Sequence, residues 1–395
     1  MRPLSSRRIW FAGIGGAGLS GYALLAAAWG AEVSGWDRAE TPYLAYVRAA
    51  DIQVTVAPDP PPPPRGAEVV VSTAYAGGVE GRSRAEFLAE LVSLRRTIVV
   101  AGAHGKTTTA AMIAFCLDRL GHDPAFLIGG EVPQLGGNAR AGEGWLVVEG
   151  DESDRTVAAL RPAIAVVTNV ELDHHATFAS PAELEELFER WLQDVPEVVR
   201  GEDLAPPEIT LAVPGEHNRR NAACALAALE RAGIGRAEAA RQLAEFRGVR
   251  RRLELRGEVG GVRVVDDYGH HPSEIAAALV ALREDASGRL LALFQPHLYS
   301  RTRHLAHELA AALGAADAVC VTDVYPAREQ PLTGVSGKLV VDALTERRPG
   351  MPVGWAPTVE DGVRLLKGRA RPGDTLLTIG AGDVDRAASL YLAET

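Results

Sequence analysis

The stretch "TIVVAGAHGKTTTAAM" (Thr97–Met112) joins an apolar, β-rich run to a glycine, a lysine and three threonines, after which a helix-like segment follows. A loop between a strand and a helix with these residues is typical of a phosphate-binding loop, although Val100 replaces the first glycine of the usual spacing. Gly105 permits a tight cradle, Lys106 can reach the β- and γ-phosphates, and Thr107 can offer its hydroxyl to Mg²⁺. The stretch therefore predicts an ATP-binding block, and a helix cap with a surface lysine is the alternative.

A second glycine-rich turn, "FAGIGGAGLSG", lies near the N-terminus. Gly13, Gly15 and Gly18 have the spacing at which small residues let backbone N–H groups approach a pyrophosphate. Asp37 ends the next strand-like run, where an acidic residue commonly meets a ribose hydroxyl. Three interpretations stay open for this turn: a nicotinamide cofactor, another nucleotide diphosphate, or a purely structural turn.

Around these two turns, short apolar β-rich runs alternate with Ala/Leu-rich helical stretches along the whole chain. Continuous apolar strands separated by helices indicate parallel sheets covered on both faces, so the predicted fold class is α/β. Composition and motif order divide the chain into three predicted domains, residues 1–96, 97–247 and 248–395. The first and third are expected to be Rossmann-like, and the central one a parallel sheet of the ATPase type.

Composition restricts the partners and the compartment. The chain has 395 residues, of which 47% are hydrophobic and 23% charged, and its net charge is −10. This charge argues against nucleic acid and against an anionic membrane as partners. The three cysteines are far apart, which favours buried thiols in a reducing cytoplasm over disulfides. Glycines interrupt the apolar run after Arg7 and Arg8, so an export signal is disfavoured and a cytoplasmic location is expected.

Acidic residues and histidines follow two later strand-like runs. "WLVVEGDESD" places Glu149 and three further acids after one run, and "VVTNVELDHH" places Asp173, His174 and His175 after another. Ligands of open α/β sheets gather at the carboxyl ends of the strands. The two clusters therefore predict a site for one or two Mg²⁺ ions beside ATP.

Seven motifs together resemble one known family. "GIGGAGLSG", "AGAHGKTTT", "EGDESD", "TNVELDHH", "PGEHNRRN", "DDYGHHP" and "FQPHLYSRTR" occur in the order seen in the Mur ligases. The match covers nearly the whole chain, and the last two motifs resemble the alanine-adding branch. The resemblance implies a UDP-sugar at the first turn and ATP at the second. It also implies ATP-dependent amide bond formation between L-alanine and the lactyl carboxylate of UDP-N-acetylmuramate, through an acyl phosphate, in a monomer or weak homodimer.

The resemblance also implies roles for individual residues. The implied catalytic residues are Lys106, Glu149, His174, Arg252, His297 and Arg301, with Thr107, Glu149 and His174 as metal ligands. The implied ATP-binding residues are Gly102, Ala103, His104, Gly105, Lys106, Thr107, Thr108, His217, Asn218, Asn221, Arg252 and Asp267. The implied UDP-sugar-binding residues are Gly15, Gly16, Ala17, Gly18, Asp37, Ser72, Thr73, Asn138, His270 and His271. The imidazoles of the last two, just before Pro272, could instead cap a helix.

The chain departs from the family pattern at two places. A strand-rich stretch that usually precedes "PGEHN" is replaced here by a short linker, and a segment between "VVVSTAY" and "RAEFLAEL" is also shorter. Neither change removes a motif residue, but the first could expose a sheet edge. Three alternatives to the alanine-adding ligase remain: a murein-peptide recycling ligase, an NAD-dependent oxidoreductase built on the first turn, and a catalytically silent binding protein.

Overall fold

The computed structural model describes residues 3–171, 177–178, 180–327 and 329–393. Within these ranges the strands form three sheets, and most strands are followed by a helix. The α/β class predicted from the alternating pattern is confirmed. Four short 3-10 helices complete the described elements: Pro133–Leu135, Thr156–Ala159, Gly201–Asp203 and Asp383–Asp385.

The first sheet contains five strands and is accompanied by three helices. These elements are β1 (Arg8–Ala12), α1 (Ala17–Ala28), β2 (Glu32–Asp37), α2 (Tyr43–Ala49), β3 (Gln53–Val56), β4 (Glu68–Val71), β5 (Arg82–Ser83) and α3 (Arg84–Ser93). The strand order is β3-β2-β1-β4-β5, and all neighbours are parallel. Trp10 and Phe11 of the central strand point to opposite faces and are both buried, as expected for a strand covered on both faces. The first glycine turn therefore leaves the carboxyl end of a central strand.

The second sheet contains six strands and is accompanied by four helices. These elements are β6 (Thr97–Ala101), α4 (Lys106–Arg119), β7 (Ala125–Val132), β8 (Gly137–Arg140), β9 (Leu146–Glu149), β10 (Ile164–Val167), α5 (Pro181–Leu192), β11 (Glu197–Arg200), α6 (Glu216–Arg231) and α7 (Arg236–Leu243). The strand order is β11-β10-β6-β9-β7-β8, and among the described strands of this sheet only β8 runs antiparallel to its neighbour. Strands β9 and β10 flank β6, so Glu149 and the residues after Val167 border the phosphate loop.

The third sheet contains six strands and is accompanied by five helices. These elements are β12 (Glu254–Val259), β13 (Val262–Asp267), α8 (Pro272–Asp285), β14 (Leu290–Phe294), α9 (Tyr299–Leu313), β15 (Ala318–Val321), α10 (Lys338–Arg347), β16 (Val353–Trp355), α11 (Val359–Lys367), β17 (Thr375–Ile379) and α12 (Arg386–Ala393). The strand order is β12-β13-β17-β14-β15-β16, with β12 antiparallel to β13. Fully buried strands such as β14 form its core, with helices such as α8 and α9 packed against them.

The chain folds into two compact units. The first unit comprises residues 1–211 and 220–247 and holds the first two sheets, and the second comprises residues 212–219 and 248–395 and holds the third. Residues 212–219, which the sequence analysis assigned to the central domain, group with the third sheet. The predicted boundaries at 96/97 and 247/248 stay a prediction.

Two further features concern the predicted departures and the membrane. After β11, which lies at one edge of the second sheet, the described residues form one 3-10 turn and no strand before α6. The short linker thus leaves β11 as an edge strand. Among the described residues, no helix combines the length and apolar character required to cross a membrane.

Candidate functional site

The phosphate loop between β6 and α4 depends on two glycines with positive φ. Gly102 has a φ of +121° and Gly105 a φ of +82°, and residues with a side chain rarely adopt such angles. A Cβ atom at Gly105 would lie 2.2 Å from Oδ1 of Asn221, which is on α6 in the same unit. The loop backbone therefore passes directly beside Asn221, one of the implied ATP-binding residues.

The strand exit beside the loop fixes its backbone. The His104 N–H donates to Oδ1 of Asn169 at 3.0 Å, and the Asn169 amide donates to the His104 carbonyl at 2.9 Å. Thr168 Oγ1 donates to the same carbonyl at 2.6 Å. Sequence analysis did not assign Thr168 and Asn169 a role. The signal was available, because two polar residues end the buried strand β10.

Lys106 forms a buried ion pair beside the phosphate loop. Its ammonium donates to the Glu152 carboxylate at 3.0 and 3.3 Å and to the Ala103 carbonyl at 3.2 Å. Glu152 is only 2% exposed. Burial disfavours the charged ammonium, but the carboxylates around it, with Glu152 first, outweigh burial and raise the pKa of Lys106. Lys106 is therefore a positioned cation, and Glu152 is a partner that was not among the predicted site residues.

Two hard oxygen donors meet at the start of α4. Thr107 Oγ1 donates to the Glu149 carboxylate at 3.0 Å, and the other oxygen of that carboxylate accepts from the Gly129 N–H. A hydroxyl and a carboxylate are donors that Mg²⁺ prefers, so the described residues fit the predicted ion. Asp173, His174 and His175 lie outside the described residues.

The first glycine turn is connected to Asp37, as its position in the sequence suggested. The Gly15 N–H donates to one carboxylate oxygen of Asp37 at 2.8 Å, and the Tyr75 hydroxyl donates to the other at 3.2 Å. Thr41 Oγ1 donates to the Gly15 carbonyl at 2.7 Å. Tyr75 and Thr41 were not predicted to take part. Asp37 thus holds the glycine turn in place through the Gly15 N–H.

The remaining residues predicted for the sugar nucleotide lie around the same turn, except for two. A Cβ atom at Gly13 would lie 2.8 Å from Cβ of Ser72, and Thr73 next to it is exposed. Asn138 on β8 donates its side-chain amide to the Ala17 carbonyl at 3.2 Å. Gly16 and Ala17 are exposed at the start of α1. The structure thus brings together all of the predicted set except His270 and His271, which lie in the second unit.

In the second unit, a strained turn presents Arg252. Arg251 and Leu253 on either side have φ values of +59° and +48°, which are uncommon for residues other than glycine. The Leu253 N–H donates to Oδ2 of Asp267 at 2.8 Å, and Arg252 Nη1 lies 3.5 Å from the Glu274 carboxylate. Burial first, and then the charge of Arg252, lower the pKa of His217, which favours its neutral form.

We expect Asp267 to titrate near pH 6. Burial raises the pKa of Asp267 from 3.8 to about 6, although Arg252 and two backbone N–H donors oppose it. The folded state then holds a proton that the unfolded chain has lost, so the free energy of unfolding falls as pH rises from about 4 to about 6, by about 3 kcal/mol in total. Carboxyl-carbon NMR of aspartate-labelled protein measures the titration midpoint of Asp267, and the Asp267→Asn variant identifies its signal. A midpoint below 4.5 would contradict the expectation.

The two histidines before α8 have different surroundings. Glu274 accepts from the His270 N–H at 3.0 Å and from the His271 N–H at 3.3 Å, which caps the helix. Nδ1 of His271 contacts Ser273 Oγ at 2.6 Å. The His270 ring meets the His297 ring edge-on, with 5.5 Å between centroids. The Glu274 carboxylate thus caps the backbone of both residues, whereas the alternative predicted from the sequence was a cap formed by their imidazoles. That alternative and their role toward a sugar nucleotide stay predictions.

His297 and Arg301, before and within the first turn of α9, contact each other. Arg301 Nη1 lies 3.1 Å from Nδ1 of His297, and a guanidinium can only donate. Nδ1 of His297 therefore accepts, which leaves its proton on Nε2. Tyr325, which follows β15, stacks on the His297 ring, with 5.9 Å between centroids. Tyr325 was not predicted as part of this cluster.

Comparisons with known proteins place these features in one family. Three family profiles match successive parts of the chain: "Mur ligase family, catalytic domain" over residues 8–96, "Mur ligase middle domain" over 100–199, and "Mur ligase, glutamate ligase domain" over 251–382. The chain is 40% identical to UDP-N-acetylmuramate–L-alanine ligase of Rubrobacter xylanophilus, with 98% of this chain and 99% of the relative covered. The chain belongs to the Mur ligase family. The family resemblance inferred from the seven motifs is thus confirmed.

Other relatives of this Mur ligase agree with that assignment. UDP-N-acetylmuramate–L-alanine ligase of Streptomyces coelicolor is 39% identical, with 97% of this chain and 96% of the relative covered. The crystal structure of UDP-N-acetylmuramate-alanine ligase from Thermotoga maritima has a TM-score of 0.81 at 26% identity, with 98% of each chain covered. A murein peptide ligase from Psychrobacter arcticus shares the fold, with a TM-score of 0.68 at 22% identity and 98% of each chain covered.

The Rubrobacter comparison also bears on the shortened segments. That alignment extends over 444 residues, whereas this Mur ligase has 395. The relative therefore carries residues that this chain lacks. The chain nevertheless retains the phosphate loop, the Thr107–Glu149 oxygen pair and the glycine turn held by Asp37.

Proposed function

We propose that this Mur ligase joins L-alanine to the lactyl carboxylate of UDP-N-acetylmuramate, with hydrolysis of ATP to ADP and phosphate, in peptidoglycan precursor synthesis in the cytoplasm. The observation that carries the proposal is the 40% identity, over nearly the full length of both chains, to a ligase of that name. The positioned ammonium of Lys106 beside two oxygen donors supports the ATP-dependent part. We further propose that the enzyme acts as a monomer or weak homodimer.

The proposed roles follow the geometry of the described residues. The first glycine turn would bind the diphosphate of the sugar nucleotide, because exposed backbone at the start of α1 suits an anion. The phosphate loop, with Lys106, would bind the phosphates of ATP. Thr107 and Glu149 would hold one Mg²⁺, and His174, which lies outside the described residues, would hold a second metal ion. The positive charge lowers the repulsion between phosphate and carboxylate. The other residues that would help to bind ATP are Arg252, Asp267, His217, Asn218 and Asn221. His297 and Arg301 would help to bind the amino acid.

The reaction divides into two steps with clear demands on the chain. In the first, a lactyl carboxylate oxygen attacks the γ-phosphorus, the bond to the β-phosphate oxygen breaks, and ADP leaves. Two anions must approach each other there, so Lys106 must hold its proton and charge. In the second, the alanine amine attacks the acyl carbon, the carbon–oxygen bond to phosphate breaks, and the nitrogen loses protons. The Nε2 proton of His297 and the Arg301 guanidinium are suited to hold the alanine carboxylate.

We expect an acyl phosphate to form when alanine is left out. With ATP, Mg²⁺ and UDP-N-acetylmuramate, added hydroxylamine should attack the activated carboxyl and give a hydroxamate, because this amine needs no amino-acid site. The control is the same mixture with UDP-N-acetylglucosamine, which has no lactyl carboxylate. Enzyme that releases ADP with alanine present but gives no hydroxamate would contradict the two-step route.

We expect the amino-acid site to discriminate only moderately against close relatives of alanine. A single methyl contact is worth about 1–3 kcal/mol, so kcat/KM for glycine and L-serine should be roughly 10–200-fold lower than for L-alanine. The kcat/KM for D-alanine should be lower than for either, because inversion at Cα directs its methyl group into the wall of the amino-acid site. Steady-state ADP release measures the four values. If D-alanine or an acidic amino acid rivals L-alanine, the branch assignment is wrong.

One experiment separates the proposal from its alternatives. ADP release is measured with UDP-N-acetylmuramate and either L-alanine or a peptide that begins with L-alanine. Faster release with the peptide would indicate a murein-peptide recycling ligase. No release with either substrate, from folded enzyme that still binds ATP, would indicate a silent Mur-like protein.

A further inference from the structure

Arg84 occupies an unusual position between the two nucleotide sites of the first unit. It is the first residue of α3, and its side chain is 27% exposed. One guanidinium nitrogen, Nη1, would lie 3.3 Å from a Cβ atom placed at Gly18, so Gly18 leaves the room that this nitrogen occupies. The other, Nη2, faces Asp151 and Asp154, which follow β9. Arg84 was not among the residues that the sequence analysis assigned to any site.

The contacts of Arg84 with these acids are long. Nη2 lies 3.5 Å from a carboxylate oxygen of Asp151 and 3.5 Å from one of Asp154, beyond the usual length of a charge-assisted hydrogen bond. Nε of Arg84 is buried and has no hydrogen-bond partner among the described residues. A buried guanidinium donor without an acceptor is costly. The guanidinium of Arg84 can therefore donate hydrogen bonds to an anion that binds it more closely than the two acids do.

The electrostatic surroundings connect Arg84 to the phosphate loop. Asp151, 3.5 Å from Nη2 of Arg84, directly precedes Glu152, the carboxylate that pairs with the Lys106 ammonium. The acids after β9 therefore contact both cations. An arginine between the glycine turn and these acids is placed to hold an anionic substrate that must meet ATP.

We propose that Arg84 binds the anionic part of the sugar nucleotide, its diphosphate or its lactyl carboxylate, beside the first glycine turn. The inference rests on the proposed function, which supplies this substrate. The position of Nη1 beside Gly18 favours the diphosphate, because the glycine turn is the part of the site suited to a pyrophosphate. Asp151 and Asp154 hold the guanidinium in position until the substrate arrives.

The test measures binding of UDP, UDP-N-acetylglucosamine and UDP-N-acetylmuramate by calorimetry to wild-type protein, Arg84→Met and Arg84→Lys. Loss of one charge-assisted contact should weaken binding about 10- to 100-fold in Arg84→Met and less in Arg84→Lys, which keeps the charge but loses the fork. Equal weakening for all three ligands identifies the diphosphate, and weakening for UDP-N-acetylmuramate alone identifies the carboxylate. Binding of a non-hydrolysable ATP analogue should stay unchanged.

Arg82→Met is the matched control. Arg82 lies two residues away, and its guanidinium pairs with Glu90 at 2.7 Å instead of facing the turn. Affinities of the Arg84 variants within twofold of wild type, or a loss equal to that of Arg82→Met, would overturn the inference while leaving the proposed function intact. Failure of wild-type protein to bind UDP-N-acetylmuramate would overturn both. Arg84→Lys keeps the test decisive if Arg84→Met does not fold.

Discussion

Lys106→Ala is expected to abolish ADP formation, with a loss of at least about 10²- to 10³-fold in rate. The reason is that a positioned cation at the transferring phosphoryl group stabilises charge that develops in the transition state. The same substitution should also destabilise the fold. It removes the partner of Glu152, which is 2% exposed, and breaking a buried ion pair costs about 3–5 kcal/mol. Activity and stability therefore have to be measured together.

A double variant separates these two effects. Glu152→Gln in the Lys106→Ala background removes the buried negative charge that Lys106 had balanced, so the free energy of unfolding should recover. The rate of ADP formation should not recover, because the ammonium is still absent. Chemical denaturation and ADP release on the four proteins of this cycle give both readouts. Near-normal turnover in either protein that lacks Lys106 would refute the assignment of ATP to this loop.

Gly105→Ala is expected to reduce ADP formation by about 100-fold or more. The new Cβ would lie 2.2 Å from Oδ1 of Asn221, and the backbone has a φ of +82°. Either the loop or Asn221 must therefore move, and both are proposed to contact ATP. A left-handed conformation at a residue other than glycine also costs about 1–2 kcal/mol by itself. The variant should bind an ATP analogue weakly even where it is folded.

The other end of the same helix provides the matched control. Gly121, just after α4, has a φ of +76°, and a Cβ atom there would have no neighbour within 4 Å. Gly121→Ala should show the same backbone cost in the free energy of unfolding but keep its ADP formation. Calorimetric binding of the analogue and ADP release on both variants compare them directly. Activity of Gly105→Ala within a few-fold of Gly121→Ala would show that the loop tolerates displacement.

Much of the fold followed from local sequence patterns. Strands such as β6 and β14 are short apolar runs that end before glycines or polar residues, and these runs indicated parallel strands covered on both faces. The positions of Lys106 and Asp37 followed from motif spacing, because a strand, a tight turn and a helix fix where such side chains lie. Chain-local geometry of this kind is readable from a sequence.

The partners of these residues were not readable in the same way. Glu152 appeared in the sequence as one acid among four, and only the path after β9 turns it, rather than Asp151, toward Lys106. Tyr75 reaches Asp37 across 38 positions of the sequence, from the loop that follows β4. Such contacts depend on packing between distant segments, and neither periodicity nor spacing encodes them. The position of Arg84 beside Gly18 could not be predicted for the same reason.

The interleaving of the two units has a consequence for how the protein is made. Residues 212–219 leave the ribosome before residues 220–247, although they belong with a unit whose remaining residues begin only at 248. The first unit is complete only after Arg247 has emerged, and the segment 212–219 meets neighbours such as Gly248 and Ala281 only after those residues have been synthesised. Domains that fold as units during translation usually complete one before the next begins. Here Val213, which is 9% exposed in the finished protein, cannot be buried by its own unit while the rest of that unit is still being translated.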